Sequence, residues 1–485
     1  MAKWEKATRE ILSALCDEFE NKKKLTEEFY KEKICGTVFY ISSHNGSDDR
    51  DGLSPSSAWQ HCEMLKNAPI SYGDTVLFEC GSIFREKLDI VNGVTYSSYG
   101  SGEKPLFLGS IDASHAEDWE KVGENLYRFQ HHIDMHNDIG NIVLDGGKAW
   151  GIKIQKCDDC DMSLALKKVT NGLDFFETIP SIPLTCGKEL PDIDLAYFHD
   201  KEGYIYLCSK RGNPATVFSS VELSQSVKIF SRSKAEDITF SNLRFACVGC
   251  FAIRTVGCKN MTVRNCSFEF IGGAIQFLYE NPSRNYRTRY GNAIENWGAC
   301  NGMRIENCYF NQIYDAGITT QSDGEYDHEE NLYYANNVFD CNQYAFELWS
   351  GGPESKFTDI CVTGNICKNV GGGMTTQRPD KGHESFFNSR GKHPMKNCEV
   401  CHNIVIGSVN SMMRCNQLHT EQYPDGYFMD NNVYVNQLGQ DFAWISEDYP
   451  AHSRMLKAVP YREDTVKELF CEWFEKNGKF YYLTE

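Results

Sequence analysis

The sequence lacks the segments that would target the chain to a membrane or for export. No apolar run in its 485 residues reaches about 18, the length needed to span a bilayer. The N-terminal stretch MAKWEKATREILSALCDEFENKKK has no uninterrupted apolar core and no small-residue cleavage site, so no secretory signal is predicted. We therefore expect a cytoplasmic protein with no membrane partner.

Basic residues are scarce. The chain has 49 Lys and Arg against 67 Asp and Glu, a formal net charge of −18. Binding to duplex nucleic acid depends on neutralising phosphates with basic side chains, so nucleic acid is not an expected partner. The same imbalance disfavours strongly anionic polymers as substrates. A dinucleotide-binding GxGxxG, a P-loop and a GxSxG nucleophile elbow are absent from the places where they would indicate function.

Cysteines are plentiful, 21 in all, and without an export signal they indicate reduced thiols. They include three CxxC pairs, Cys157/Cys160, Cys247/Cys250 and Cys398/Cys401. Such pairs can hold zinc, but these fall at unrelated places in the chain, and no metal site is predicted from them.

One loop of the sequence is rich in Asn, Asp and Gly, and calcium binding there is left open. Asp48, Asp49 and Asp51 offer oxygen ligands there. Aspartates in such loops more often make Asx turns. The cofactor prediction is therefore none, with calcium possible.

One short unit recurs between residues 235 and 445. Its copies are AEDITFSNLRF (235–245), CKNMTVRNCSF (258–268), CNGMRIENCYF (300–310), ENLYYANNVF (330–339), FTDICVTGNIC (357–367), MKNCEVCHNIV (395–405) and DGYFMDNNVY (425–434). Stacking the copies gives one asparagine column (Asn242, Asn265, Asn307, Asn336, Asn431) and a second one residue later (Asn337, Asn365, Asn403, Asn432). Repeats of this length indicate a solenoid, a propeller or an array.

The residues within each unit favour a solenoid of strands. Runs such as Ile238-Thr239-Phe240 alternate inward and outward positions, and a turn asparagine able to adopt the left-handed conformation follows. No helix-length segment intervenes, and most units are too short for the four strands of a propeller blade. We predict an all-β, right-handed parallel β-helix.

Other segments lie outside the repeat. Residues 2–34 have helical spacing, and we predict an N-terminal helical cap over 1–35. The β-helix is predicted over 36–450, with an inserted β-rich subdomain around 111–230 whose strands include 141–144, 204–209, 215–218 and 227–230. Residues 451–485 are predicted to form a C-terminal tail with a short capping helix.

Several runs resemble bacterial right-handed parallel β-helix proteins of the pectate-lyase-like superfamily. They are FYISSHNGSDDRDGLSPSSAW, GDTVLFECGSIFREKL, YSSYGSGEKPLFLGS, DIGNIVLDGGKAWGIK, YIYLCS, YGNAIENWG and IYDAGITTQ. The resemblance covers roughly residues 36–445 and implies a glycoside hydrolase-like branch of that superfamily.

Outward positions on successive rungs of a β-helix form columns about 4.8 Å apart. The alignment predicts one column made of Arg254, Glu295, Thr319, Glu347, Thr375 and Met413. It predicts a second column, two residues on, made of Trp297, Gln321, Trp349 and Gln377.

Carboxylates converge on this face. Glu295 and Glu347 are predicted two rungs apart, about 9–10 Å at the backbone, with Asp315 between them. One carboxylic acid can protonate a leaving oxygen while a second carboxylate activates water or attacks the sugar. Glu295, Glu347 and Asp315 are therefore the predicted catalytic residues, although each also suits a solvated strand or a turn.

Aromatic, amide and basic side chains flank the acids. Trp297 and Trp349 offer flat faces for sugars. Two long loops, 279–289 and 378–393, are expected to wall the cleft. The predicted substrate-binding residues are Trp297, Trp349, Gln321, Gln377, Arg254, Arg378 and His383.

These features predict a carbohydrate-active enzyme, a glycoside hydrolase acting on an oligosaccharide. The alternatives are a polysaccharide lyase or uronate epimerase, and a non-catalytic glycan-binding solenoid.

Overall fold

The computed structural model describes residues 3–154, 169–172, 192–200, 202–276, 289–352, 354–378, 384–391, 395–415, 427–445, 457–465 and 477–483. Strands are numbered in chain order. The first sixteen are β1 Lys3–Lys6, β2 Val38–Ile41, β3 Thr75–Glu79, β4 Ile83–Phe84, β5 Leu88–Asp89, β6 Thr95–Tyr99, β7 Leu106–Leu108, β8 Ser110–Asp112, β9 Trp119–Gly123, β10 Leu126–Phe129, β11 Ile139–Leu144, β12 Ala149–Trp150, β13 Ile152–Lys153, β14 Ala196–His199, β15 Ile205–Cys208 and β16 Val221–Gln225.

The later strands carry the repeat. They are β17 Lys228–Ser241, β18 Arg244–Val248, β19 Phe251–Arg264, β20 Ser267–Ile271, β21 Ala274–Ile275, β22 Arg289–Tyr290, β23 Ile294–Glu306, β24 Tyr309–Ile313, β25 Ala316–Ser322, β26 His328–Ala335, β27 Val338–Asp340, β28 Tyr344–Ser350, β29 Lys356–Thr363, β30 Ile366–Val370, β31 Ser385–Gly391, β32 Lys396–Cys401, β33 Ile404–Ser408, β34 Met413–Cys415, β35 Tyr427–Asp430, β36 Val433–Gln437, β37 Asp441–Ile445, β38 Lys457–Pro460 and β39 Lys479–Leu483. The α-helices whose bounds both lie in the described residues are α1 Arg9–Glu27 and α2 Pro214–Val217.

Three parallel ladders make the solenoid, and the predicted parallel β-helix is confirmed. The outer sheet runs β1-β39-β36-β33-β30-β27-β24-β20-β18-β7-β4. A second ladder, here the cleft sheet, runs through β5, β17, β19, β23, β25, β28, β31, β34 and β37. The third runs through β2, β3, β6, β17, β19, β23, β26, β29, β32 and β35. Strands β17, β19 and β23 are long enough to bend through two ladders.

Stacked aromatic side chains fill the core. Phe245, Phe268, Phe310 and Phe339 follow one another with ring centroids 5.1, 5.0 and 4.8 Å apart. These distances match the spacing of neighbouring strands, so the same residue type at the same place in each repeat stacks on itself. The repeat in the sequence thus becomes a continuous core along the solenoid axis.

The two asparagine columns have different roles. Asn242, Asn265, Asn307, Asn336 and Asn431 all have positive φ, between 49° and 59°, and turn the chain between ladders as predicted. The following asparagines are buried and form a ladder. The backbone N–H of Asn337 donates to Asn365 Oδ1 at 2.9 Å, and that of Asn365 donates to Asn403 Oδ1 at 3.0 Å.

We expect Asn365→Ala to destabilise the protein by about 1–3 kcal/mol, because it removes the acceptor for the buried N–H of Asn337. Urea denaturation measures the loss. Asn301, exposed on the same solenoid, provides the control, and Asn301→Ala should change the free energy of unfolding by no more than about 0.5 kcal/mol. If the two substitutions lowered the free energy of unfolding equally, the buried asparagine ladder would contribute no more to stability than an exposed hydrogen bond does.

The N-terminal segment runs along the solenoid. Helix α1 begins after Thr8, whose hydroxyl caps the N–H of Ile11, so the helix is shorter than the predicted 2–34. Phe19 is buried against Tyr309, Val338, Ile366 and Ile404 of the outer sheet. The terminal edge itself is covered by the strand before the helix, because β1 pairs with β39.

The inserted β-rich subdomain is confirmed. It contains a four-stranded sheet, β12-β11-β16-β8, and a five-stranded sheet, β13-β14-β15-β10-β9, with a core of their own around Trp119, Ile142 and Leu207. The predicted strand at 215–218 is wrong. Asn213 caps a helical turn there and Pro214 occupies its first position, which presets the helical φ.

In the described parts of the chain, no helix is both long and apolar enough to cross a membrane. The predicted C-terminal capping helix lies mostly outside the described residues.

Candidate active site

The strand register of the cleft sheet confirms the first four members of the predicted outward-facing column. Arg254 pairs with Glu295, Glu295 with Thr319, and Thr319 with Glu347. The flanking residues Ile294 and Asn296 are buried in the core, so alternation along β23 turns Glu295 to the opposite face. The two glutamates therefore lie two strands apart, about 9–10 Å at the backbone.

The same face carries the second column. Trp297 pairs with Gln321, which pairs with Trp349, and Trp349 pairs with Arg390. The rings of Trp297 and Trp349 meet across the intervening strand with centroids 5.8 Å apart. The result is an apolar platform beside the carboxylates.

Three of the predicted column members are wrong. Thr375 and Gln377 lie in a 3₁₀ turn, Gly373–Gln377, because Gly371 and Gly373 have φ of 75° and 61° and end the strand. Strand β31 occupies the rung instead. Asn388 pairs with Glu347 and Arg390 with Trp349, in the positions predicted for Thr375 and Gln377.

Met413 is misplaced by one residue. It pairs with the buried Phe387, whereas Arg414 pairs with Asn388 and continues the column. Gln377 is buried behind the cleft, where its Oε1 accepts the N–H of Lys153 at 2.9 Å. His383 lies outside the described residues.

A cleft of about 620 Å³ opens over the cleft sheet. Of the residues predicted for the site, those lining it are Arg254, Glu295, Trp297, Asp315, Gln321, Glu347 and Arg378. The structure therefore brings the three predicted acids together around one space. A volume of this order accommodates a small-molecule ligand.

Glu295 is buried in the cleft sheet and is held by two hydrogen-bond donors. It is 5% exposed; its Oε1 accepts from Arg254 Nε at 2.8 Å and its Oε2 from Asn292 Nδ2 at 2.7 Å. Asn292 is itself fixed by accepting the N–H of Ala316. Burial raises the pKa of Glu295, and the charge of Glu347 raises it further, while Arg254 and Asn292 oppose the shift.

Glu347 has a different environment. It is 3% exposed and surrounded by donors. Its Oε1 accepts from Arg390 Nη2 at 2.5 Å and from Asn388 Nδ2 at 3.0 Å, and its Oε2 accepts from Gln321 Nε2 at 2.9 Å. One charge-assisted hydrogen bond and two amide hydrogen bonds therefore fix the position of this carboxyl group.

Asp315 lies in the turn that leads into β25. Its Oδ1 forms an ion pair with Arg378 Nη1 at 2.6 Å, and both side chains are nearly buried. The Arg378 guanidinium lies over the rings of Tyr314 and Tyr344, with centroids 5.7 and 6.0 Å away. Arg378 thus fixes Asp315 at the wall of the cleft.

The inserted subdomain forms part of the cleft, which the sequence did not predict. Met135, His136 and Asp138 line it from that side. Asp138 is buried and accepts from Lys153 Nζ at 2.8 and 2.6 Å and from the N–H of Ile275 at 2.7 Å. These residues stand outside the repeat, so no column could have identified them.

Two of the aspartates considered for calcium accept hydrogen bonds from the backbone. Asp48 accepts the N–H groups of Gln60 and His61, and Asp51 accepts the N–H of Leu53. Cys247 and Cys250 are free, buried thiols, and Cys157 and Cys160 are outside the described residues. Within the described ranges, no three His, Cys, Asp or Glu side chains cluster closely enough to hold a metal ion.

No family model and no curated protein matches the chain. Among solved structures, a GH136 lacto-N-biosidase from Eubacterium ramulus shares 11% identity, with 98% of this chain and 71% of that chain covered and a TM-score of 0.32. An exopolygalacturonase from Thermotoga maritima also shares 11% identity, with 88% and 94% covered and a TM-score of 0.36. The chain's own strand pairing establishes the fold: it is a parallel β-helix, as its resemblance to pectate-lyase-like proteins implied.

Proposed function

We propose that the protein is a glycoside hydrolase that cleaves an oligosaccharide with Glu295 and Glu347. The observation that carries the proposal is the contrast between these two buried acids on one face of one cleft. Burial raises the pKa of Glu295 above that of an ordinary glutamate, whereas Glu347 accepts hydrogen bonds from three donors, Arg390, Asn388 and Gln321. Two carboxyl groups with opposed environments are the requirement for acid and base roles in glycoside cleavage.

In the proposed reaction Glu295 donates its proton to the leaving oxygen of the glycosidic bond. Glu347 takes a proton from water as that water attacks the anomeric carbon from the opposite side. Inverting enzymes place their carboxyl groups roughly 6.5–9.5 Å apart to leave room for the water, and a separation of two strands suits that range better than the roughly 5 Å of retention. We therefore propose inversion.

The remaining residues have supporting roles in this proposal. Arg254 and Asn292 orient Glu295, and Arg390 orients Glu347. Asp315, held by Arg378, contacts the substrate or the attacking water from the cleft wall. Trp297 and Trp349 stack on the apolar face of a sugar ring.

A polysaccharide lyase is the main competitor. A lyase must neutralise a substrate carboxylate with a cation and abstract a carbon-bound proton with a base. Here Arg254, Arg378 and Arg390 are all engaged by carboxylates of the chain itself. That pairing favours the hydrolase.

The test is an assay of the wild-type protein on a panel of oligosaccharides and aryl glycosides. New reducing ends without ultraviolet absorbance from a carbon–carbon double bond support hydrolysis. Equal growth of both signals establishes a lyase. The anomeric configuration of the first product, read by proton NMR before mutarotation, reports inversion or retention.

The pH dependence follows from Glu295. A general acid must be protonated, so kcat/KM should fall as pH rises through the pKa of Glu295. Because burial raises that pKa, the alkaline limb should lie above the range of an ordinary glutamate. Glu347→Gln removes a negative charge that raises the pKa of Glu295, so the alkaline limb of the kcat/KM profile should move to lower pH in this variant. A limb that stays at the wild-type pH would contradict the electrostatic coupling of the two acids.

Trp297→Ala should raise KM by roughly fivefold, since aromatic stacking contributes about 1 kcal/mol to binding. The expected effect on kcat is small, because the platform lies beside the reacting acids. Tyr326 is an exposed aromatic residue away from the cleft lining and provides the matched control, Tyr326→Ala. A KM unchanged in Trp297→Ala would remove the platform from the proposal.

A further inference from the structure

A second groove continues the cleft. It has a volume of about 360 Å³ and is lined by Asp89, Lys228, Ser231, Arg232, Ser233, Arg254 and Val256. Lys228 and Arg254 line both this groove and the cleft. A chain of sugars in the cleft can therefore extend into the groove without leaving the surface of the cleft sheet.

The register fixes where the groove lies relative to the acids. Ser231 pairs with Arg254, and Arg254 pairs with Glu295. The groove is therefore centred about two strands, or roughly 10 Å, from Glu295, on the side away from Glu347. Lys228 pairs with Phe251 and stands at the junction of the two spaces.

The groove is locally basic in an acidic protein. The formal net charge of the chain is −18, yet three basic side chains and one carboxylate, Asp89, line this space. Arg254 is engaged by Glu295. Lys228 and Arg232 are exposed, and neither forms an ion pair with a carboxylate in the part of the chain that the structure describes.

Resting on the proposed function, we propose that this groove is a subsite for an anionic group on the oligosaccharide. Lys228 and Arg232 bind a carboxylate, sulfate or phosphate, and the hydroxyls of Ser231 and Ser233 lie within the same groove to donate further hydrogen bonds. Charge-assisted hydrogen bonds are shorter and stronger than neutral ones, and a planar guanidinium matches these anions with two parallel donors.

This proposal reverses an expectation drawn from the composition. Net charge governs long-range attraction, which salt screens over about 8–10 Å, whereas affinity for a bound anion depends on the groups that touch it. A bound anion contacts Lys228 and Arg232, which form no ion pair with a carboxylate among the described residues, whereas Asp89 is the one described carboxylate that lines the same groove. The substrate class we infer is an acidic oligosaccharide with its charge about two strands from the cleaved bond.

The test measures binding by calorimetry in a Glu347→Gln background, where turnover is suppressed and Arg254 keeps its ion pair with Glu295. The probes are short oligosaccharides of uronic acids against their methyl esters, and sulfated oligosaccharides against their desulfated forms. An anionic member of either pair should bind about 10- to 100-fold more tightly than its neutral partner. Which pair shows the difference identifies the anion.

Substitutions of Lys228 and Arg232 test whether the preference for anionic oligosaccharides arises in this groove. Lys228→Gln with Arg232→Gln should abolish the preference for the anionic partner and leave the affinity for the neutral one unchanged. Lys228→Arg with Arg232→Lys should retain the preference, because the charges remain. Lys121→Gln removes the same charge from an exposed position in β9 of the inserted subdomain and should have no effect.

Equal affinity for anionic and neutral partners in both pairs would overturn the subsite. So would an anion preference that survives the double glutamine variant. These results are separable from the fate of the hydrolase proposal. A wild-type protein that cleaves nothing but binds anionic oligosaccharides through Lys228 and Arg232 would overturn only the proposed reaction.

Discussion

Glu295→Gln should lower kcat/KM on an unactivated oligosaccharide by about 10²–10⁴-fold, the range that general acid catalysis supplies. Glutamine has nearly the same shape and can still bond to Asn292, but it has no proton to give to a departing sugar oxygen. Steady-state kinetics of the purified variant measure the loss.

The reason for the loss can be tested by changing the leaving group. An aryl glycoside with a strongly acidic phenol needs little proton donation, so Glu295→Gln should retain most of its activity on that substrate. Glu306→Gln, on the same strand at a position away from the cleft, is the control for folding and should behave as wild type on both. An equal loss on activated and unactivated substrates would assign Glu295 a structural role.

Asp138→Asn should destabilise the protein by about 3–5 kcal/mol. Lys153 and Asp138 form a buried ion pair, with side chains 2% and 3% exposed, and removing one partner leaves an uncompensated buried charge. The ammonium would keep the carbonyl of Ile139 as an acceptor but would lose the negative charge that balances it. Chemical denaturation monitored in the inserted subdomain measures the change.

A double variant separates charge from shape. Asp138→Leu with Lys153→Met removes both charges, and replacing a buried pair with apolar residues of similar size is often neutral in stability. We expect this double variant to recover most of the stability lost in Asp138→Asn. A single variant that costs less than about 1 kcal/mol would show that the pair is hydrated rather than buried.

Hydrogen bonds beside the ion pair connect the inserted subdomain to the solenoid. Arg289 donates to the carbonyl oxygens of Gly273 in the solenoid and Gly140 in the subdomain, at 2.7 and 3.0 Å. Gln377 accepts the N–H of Lys153 at 2.9 Å. Loss of the pair is therefore expected to loosen the wall of the cleft and to raise KM as well.

The repeat made much of this architecture predictable. Each asparagine in the turn column recurs because the left-handed conformation recurs, and Asn is tolerated there. Once these turns were aligned, the pairing of Glu295 with Thr319 and of Thr319 with Glu347 followed, because parallel strands stack equivalent residues.

The prediction failed where the chain leaves the repeat. Glycines at 371 and 373 replace a strand by a turn. Strand β31, Ser385–Gly391, lies within 378–393, which was wrongly predicted to be all loop, so Asn388 and Arg390 take the places predicted for Thr375 and Gln377. The predicted alignment placed Met413 one residue out of register, and a shift of one residue along a strand exchanges its two faces. Asp138 approaches the cleft through contacts between distant segments, which periodicity does not encode.

The most direct test of the central claim is the release of reducing ends from an oligosaccharide that the wild-type protein cleaves, measured beside Glu347→Gln. The account predicts a loss of at least about 100-fold in kcat, with no ultraviolet-absorbing product from either protein. Undiminished release by Glu347→Gln would contradict the proposal that Glu295 and Glu347 act as a pair, and would place the chemistry on another face of the cleft.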